Sequence, residues 1–433
     1  MTTAIGMAAT AWLVVLGIYF EDGFHSRPGL LLITAAIGVC AATVNVQRRA
    51  SARRSAPRIL SGVVMAALLV QTRLLIGAAA GAPSIQFGIA LVGGLALVQR
   101  LDLKAWRVPL FAVTAALFAL AASMASITNR DPQIDVFTFQ QTAASALEHG
   151  ADPYNVRIQN LYPPTTQNYG PGVVDVRTNT LTYGLPYPPF SLLLVLPAHA
   201  IGGDIRYADV AAIAIAAALI VMSRPSRWTG LVASAFLLTP EVFFLISSAW
   251  TEALMALTFS VVMFTAVRWR PALPYSLGAF LATKQYSVVA VPLVWLLLDE
   301  PASFRAYLVV MAKAGCVALL LTVPFFFWNP DSFWRSVILF QFIQPLRIDA
   351  LSHLVWMHNR LPRFDIVRWT PFALLLPTTA FALWKAERSP AGFAAALTLV
   401  YLTFVAFNKQ AFYNYYYFTV ATAWWAAASA ADD

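Results

Sequence analysis

Asn129-Arg-Asp-Pro-Gln-Ile-Asp135 opens, and Tyr187-Pro-Pro-Phe190 closes, the one long polar stretch in a chain otherwise built of apolar runs. Those runs, of about 16–25 residues each, recur from end to end and are long enough to cross a hydrocarbon core of about 30 Å. Of the 433 residues 59% are hydrophobic and 11% charged, where a soluble domain carries about 25% charged residues. Mean hydropathy is +0.67. The reading is an all-α, polytopic membrane protein. A β-barrel would show alternation in segments of about 10 residues, which this sequence lacks. A solvent-facing stretch this long in a bilayer protein needs a use, so Thr128–Tyr187 leads the search for function.

The formal net charge is +9. In a soluble protein that would point to nucleic acid. Here the basic residues gather in short links between apolar runs, notably Arg48-Arg49, Arg53-Arg54, Arg58 and Arg268-Trp-Arg270. This is the positive-inside pattern, which sets orientation in a membrane and implies no nucleic-acid partner. Cys40 and Cys316 fall inside separate apolar runs and read as small buried hydrophobes. The N-terminus has no basic region followed by a small-residue cleavage site, so Ala4–Phe20 reads as a retained span.

Spans are expected near 4–20, 28–46, 59–81, 85–98, 108–127, 205–222, 229–247, 252–267, 307–328, 366–384, 391–407 and 412–430. With Arg48–Arg58 on the inside, Arg100–Arg107 is inside too and the long polar loop outside. A full crossing by 188–202 would put Arg224-Pro-Ser-Arg227 outside, against the rule. That stretch is short, holds Pro188, Pro189 and Pro197, and is expected as a re-entrant or juxtamembrane helix. Segment 272–298 is interrupted at Thr283-Lys284-Gln285 and at Pro292, and is expected as two half-helices. With both corrections, 329–365 and 408–414 share the outer face with the long loop. The expected architecture is about a dozen full spans, two broken segments and a one-sided outer chamber. No internal repeat stands out.

Within the loop, Val136–His149 has helical spacing, Gly150 is a stop signal, and Asp135 stands at the N-cap. Its carboxylate could simply satisfy free N–H groups there, worth about 1 kcal/mol. It could instead act as a general base at the membrane edge of the chamber. Asp152-Pro-Tyr154, Tyr162-Pro-Pro164 and Tyr187-Pro-Pro189 either stiffen the loop and anchor it at the interface, or wall a sugar site. Arg73, Glu241, Glu252 and Lys284 fall within or beside apolar runs. Each would cost about 2.5–3.5 kcal/mol near the bilayer centre and needs a partner or a cavity. Glu252 is placed to reach the chamber, and Arg73 is expected to be structurally paired. In the later outer loops Arg347, His353 and Lys409 could grip an anionic headgroup or merely snorkel to lipid phosphates. The sequence holds no P-loop, dinucleotide turn, zinc spacing or Ser/Cys nucleophile motif.

Asp135-Val-Phe, Gly150-Ala-Asp-Pro-Tyr154 and Tyr187-Pro-Pro-Phe190 together resemble the GT-C superfamily of integral membrane glycosyltransferases. The nearest pattern is that of glycosyltransferase family 87, the polyprenyl-phosphate-mannose-dependent α-mannosyltransferases. Thr283-Lys284 before an apolar half-helix resembles a recurring feature of the superfamily. The likeness runs from Val108 to residue 433, with 1–107 as a four-span extension, 108–433 as the catalytic membrane domain and 128–187 as its large outer loop. Trp250-Thr-Glu252 stands where many members carry a Gly-Gln-x-Asn-like turn.

The resemblance implies an inverting enzyme that needs no metal or other cofactor. Asp135 would be its base, deprotonating an acceptor hydroxyl of a glycan or glycolipid of the cell envelope. The donor would be a polyprenyl-phosphate-linked sugar, mannose or a related hexose or pentose. Arg347, His353, Lys409 and Lys284 are the expected cations for the donor phosphate, and Glu252, Asp152, Tyr154 and Tyr187 the expected substrate contacts. The setting would be a bacterial plasma membrane with the site facing outward. Two alternatives stand beside this: a transporter or flippase of a lipid-linked or polar substrate, since interrupted helices line transport sites, and a polysaccharide ligase or polymerase.

Overall fold

The computed structural model describes residues 3–47, 58–101, 103–129, 131–163, 168–240, 242–361 and 369–431, apart from the side chains of 58–60 and 127. Its described residues are overwhelmingly helical. Among the described residues six helices are long and apolar enough to cross a membrane: Thr3–Gly23, Arg27–Val46, Ser61–Ala78, Lys104–Ser126, Arg206–Ser223 and Phe304–Trp328. The protein is an all-α, polytopic membrane protein.

The first five helices are α1 (Thr3–Tyr19), α2 (Arg27–Val46), α3 (Arg58–Ala78), α4 (Pro83–Val98) and α5 (Arg107–Thr128). In the outer loop, α6 (Asp135–Glu148) is followed by three short strands, β1 (Ile158–Gln159), β2 (Val174–Asp175) and β3 (Thr180–Leu181), paired antiparallel in the order β1-β3-β2. Then come α7 (Pro189–Gly202), α8 (Arg206–Ser223), α9 (Arg227–Leu237), α10 (Val242–Ser247), α11 (Glu252–Arg268) and α12 (Leu273–Leu281). The chain closes with α13 (Phe304–Trp328), α14 (Pro330–Phe333), α15 (Phe340–Ile343), α16 (His353–Arg360), α17 (Thr370–Lys385), α18 (Pro390–Ala406) and α19 (Tyr413–Ser429). Helices α18 and α19 are buried over nearly their whole length, which fits sequences that carry no charge and present no polar face. Against them pack α1, α2, α9 and α11, and α8 lies on α11.

Segment 272–298 breaks as its sequence requires: after α12 the chain runs in two 3₁₀ stretches, Gln285–Ala290 and Pro292–Leu297. Segment 188–202 forms a single 14-residue helix, α7, with Pro189 in its first turn and left-handed Gly203 at its end. The expected continuous span 229–247 is corrected: it divides into α9 and α10 around Thr239-Pro240. Pro240 supplies no N–H and disfavours helical geometry in the residue before it. Cys40 is buried as expected, but Cys316 lies exposed on α13. Arg73 lies exposed on α3 rather than in a buried pair. Glu241 and the Arg48-Arg49 and Arg53-Arg54 links fall outside the described residues.

The links between helices sort to two ends of the bundle. At one end Glu387 N–H donates to Gln47 (3.3 Å), Arg107 to the Pro225 carbonyl (3.3 Å), Arg268 to that of Met222 (3.4 Å) and Arg388 to that of Leu298 (3.4 Å). At the other end the three polar stretches knit together. Arg335 donates to the Thr182 carbonyl (2.7 Å), Arg347 N–H to that of Lys409 (3.0 Å), and Leu351 N–H to that of Ala411 (2.8 Å). Buried Arg206 fastens this end: it forks onto Asp204, donates to the Asn129 carbonyl at 2.6 Å and lies over the Phe137 ring. It thereby ties the end of α5 to α6 and α8, and fixes where Asp135 enters the loop.

Candidate active site

Asp135 is the first residue of α6, not its N-cap. Ile134 takes that position in extended geometry, and no side chain caps the helix. The carboxylate is left for another partner, the Tyr169 hydroxyl, which donates to Oδ2 at 2.8 Å. Tyr162 lies on the other side, its hydroxyl accepting from the Asp135 N–H at 3.4 Å and its ring 5.6 Å from that of Tyr169. Asn160 positions Tyr162 by accepting from its N–H (3.1 Å) and donating to its carbonyl (2.9 Å). Burial pushes the Asp135 carboxyl up from the ordinary Asp range, opposed in part by the Tyr169 and Tyr162 contacts and by the charge of Arg347. Burial, then the charge of Asp135, likewise raises both phenols well above the usual tyrosine value. Both phenols are neutral, Tyr169 donating to the carboxylate, and among the described residues Asp135 is a carboxylate held without a salt bridge and with a raised proton affinity.

A second centre lies deeper. Lys284 stands in extended geometry at the break after α12, and its Nζ meets Glu252 Oε1 at 2.5 Å. The side chains are 5% and 0% exposed. Three tyrosine rings surround the ammonium, with centroids at 5.1 Å (Tyr187), 5.0 Å (Tyr286) and 5.2 Å (Tyr415). Tyr286 also donates its hydroxyl to Glu252 Oε1, while Glu252 Oε2 is buried without a hydrogen-bond partner. Glu252 sits in the first turn of α11, where the helix dipole favours a negative charge. Thr283 fixes the break, its hydroxyl lying within hydrogen-bond distance of the Ala279 carbonyl (2.9 Å) and of Thr258 Oγ1 (3.2 Å). A desolvated ammonium gains about 2 kcal/mol from an aromatic face. The cage and the carboxylate together make a buried lysine tolerable.

Tyr187 and Tyr415 join the two centres. Each lies within electrostatic reach of both Asp135 and Glu252, and Arg347 acts on Asp135, Tyr162 and Tyr415. The sequence-predicted residues therefore divide. Asp135, Tyr187, Glu252, Lys284 and Arg347 lie in one electrostatically linked region, and Arg347 itself forks onto Asp349 (2.9 and 2.6 Å) and stacks over Phe412. Lys409 Nζ is bonded by the carbonyls of Gln341 (2.9 Å), Phe342 (3.2 Å) and Gln344 (2.7 Å) at the end of α15. His353 packs on Phe407 with Nε2 3.1 Å from Thr34 Oγ1 of α2, and burial pushes its imidazole below the ordinary value. Asp152 receives the Tyr154 N–H at 2.9 Å, and Tyr154 is buried against Phe333 with its hydroxyl on the Tyr187 carbonyl at 3.0 Å. Asp152 and Tyr154 thus build the turn that holds Tyr187.

Residues that sequence reading did not single out include Tyr169, Tyr286 and Tyr401, and Asp209 of α8. Asp209 is 1% exposed, has a carboxylate oxygen without a partner, and lies within electrostatic reach of Glu252. A carboxylate in the first turn of an apolar span was the available signal for Asp209. A separate open cavity of about 460 Å³ lies between α6 and α7, lined by Gln141, Thr142, Ser145, Ala146 and His199. His199 Nδ1 lies 2.8 Å from Glu148 beside it.

No family model matches the sequence, and no curated protein matches it. Among solved structures, the chain is similar to the crystal structure of ArnT from Cupriavidus metallidurans bound to undecaprenyl phosphate, with 18% identity and a TM-score of 0.43. The match covers 72% of this chain and 59% of ArnT, so the chain spans about three fifths of that protein.

Proposed function

We propose that the chain is a membrane glycosyltransferase of the GT-C type, moving a sugar from a polyprenyl-phosphate donor to a hydroxyl of a glycan or glycolipid. The observation that carries this reading is the pairing of two unlike centres across Tyr187 and Tyr415. On one side is a carboxylate of raised proton affinity held by neutral phenols; on the other is an ammonium held in an aromatic cage. Asp135 takes the proton from the acceptor hydroxyl as its oxygen attacks the anomeric carbon. The bond from that carbon to the phosphate oxygen breaks, its electron pair leaves with the phosphate, and the configuration inverts. Lys284 and Arg347 are the cations best placed to hold the departing charge, an arrangement that stabilises the transition state more than the ground state. The partly exposed Tyr187 and Tyr415 residues between them offer ring faces for the sugar, mannose or a related hexose or pentose.

Asp135→Asn in the purified protein is the test. It should abolish transfer while leaving folding and donor binding intact, and near-normal turnover would defeat the assignment. The 3₁₀ break at 285–297 beside a buried ion pair favours a second reading, transport of a lipid-linked substrate. Reconstituted vesicles separate the two: glycosylated product without net donor translocation rules for the enzyme, and translocation that survives Asp135→Asn rules for the transporter.

A further inference from the structure

Leu185-Pro-Tyr-Pro-Pro189 carries three prolines, which have no N–H to enter a regular ladder, and the carbonyls of Pro186 and Tyr187 take their donors from outside the segment. Side chains supply them. Tyr154 donates its hydroxyl to the Tyr187 carbonyl. The Pro186 carbonyl receives two amides, Gln285 Nε2 at 2.8 Å and Gln341 Nε2 at 3.0 Å. The peptide groups on both sides of the Tyr187 side chain are therefore fixed, and a residue before proline is already restricted to extended backbone. Gln285 Nε2 also donates to the Val337 carbonyl at 3.0 Å, within the π-helical turn Trp334–Leu339 that leads into α15.

One amide group thus ties two segments, the outer loop and the 334–339 turn, to the residue that directly follows Lys284. We propose that Gln285 is a positioning residue that sets the Tyr187 ring over the Lys284 ammonium and so fixes the distance from the base-bearing loop to the phosphate-binding cation. This rests on the reading of Lys284 as that cation. Gln285 makes no contact with the reacting atoms. It acts through Tyr187, which gives it a thermodynamic signature: removing Gln285 should matter only while the Tyr187 ring is present.

The probe is undecaprenyl phosphate, titrated onto the full chain in detergent and followed by native mass spectrometry. Lys284→Met, made together with Glu252→Gln so that no buried charge is left unpaired, should weaken binding about tenfold, as loss of a charge-assisted contact does. Gln285→Met, close in shape but without the donor, should weaken it about three- to fivefold, and in a Tyr187→Leu background should change it less than about twofold. Equal binding by Gln285→Met and the wild type, or effects that multiply in the double variant, would overturn the proposal while leaving Lys284 in place. Unchanged binding in that Lys284→Met/Glu252→Gln variant would instead remove the phosphate reading and the proposal with it. If Gln285→Met does not fold, Gln341→Met strips only the shared Pro186 bond. Its smaller loss should vanish in the Tyr187→Leu background, and persistence of that loss there would overturn the proposal equally.

Discussion

Asp135 and Glu252 are both carboxylates in the first turn of a helix, yet their surroundings are opposites. Asp135 is partly exposed, receives one phenolic hydroxyl and has no cation in direct contact among the described residues. Glu252 has no exposure and holds an ammonium and a phenol on one oxygen. The difference follows from what each group can do. A carboxylate that is to accept a proton needs neutral donors and a raised affinity, because a salt bridge would lock it in the charged form. A carboxylate that is to keep a lysine charged in a low-dielectric interior needs the reverse, since an unpaired buried ammonium would lose its proton.

The same isosteric change made at both positions should give opposite phenotypes, and this is the sharpest way to break the comparison. Asp135→Asn should lower transfer about 10²–10⁴-fold, the usual worth of a general base, with the thermal unfolding midpoint in detergent unchanged. Glu252→Gln should destabilise the fold by about 3–5 kcal/mol, because it leaves Lys284 buried without its counter-charge. Adding Lys284→Met to Glu252→Gln should restore much of that stability, since replacing both partners of a buried pair costs far less than removing one. If Glu252→Gln instead melts with the wild type, the pair is not what makes the buried lysine tolerable.

How much of this was legible depends on what a charge costs in each place. Glu252 and Lys284 stood out because an ionised group in an apolar run must be paired or functional, and the structure makes them each other's partner. Asp135 stood out because it begins an amphipathic helix inside the polar loop. The break at 272–298 was readable from Lys284 and Pro292. The division at Pro240 carried the same kind of signal, diluted by the apolar residues on both sides. The cage was not legible, because Tyr187, Tyr286 and Tyr415 have the same sequence context as tyrosines that merely anchor a helix at the interface. Only tertiary packing places their rings around one ammonium. Lys409 shows the converse. A lysine between two outer segments reads equally well as a phosphate ligand, and its three carbonyl partners come from the end of a four-residue helix with no sequence signature.

Two smaller predictions sharpen the account of Asp135. A base works only when ionised, so transfer on the acid side should rise with pH through the raised Asp135 value. The Tyr169 hydroxyl favours the ionised form, so Tyr169→Phe should move that acid limb to higher pH and cost about 1 kcal/mol at pH values below it. Arg347 acts on the same carboxylate, but as the weakest of the contributing influences. Arg347→Met should therefore shift the limb in the same direction by less than Tyr169→Phe does. If Arg347 also holds the departing phosphate, the variant should weaken undecaprenyl phosphate binding, which Tyr169→Phe should leave unchanged. A pH–rate profile of kcat/KM alongside a phosphate titration separates the two roles of this arginine. A limb that moves without any loss of binding would confine Arg347 to tuning the base and leave Lys284 as the phosphate-binding cation.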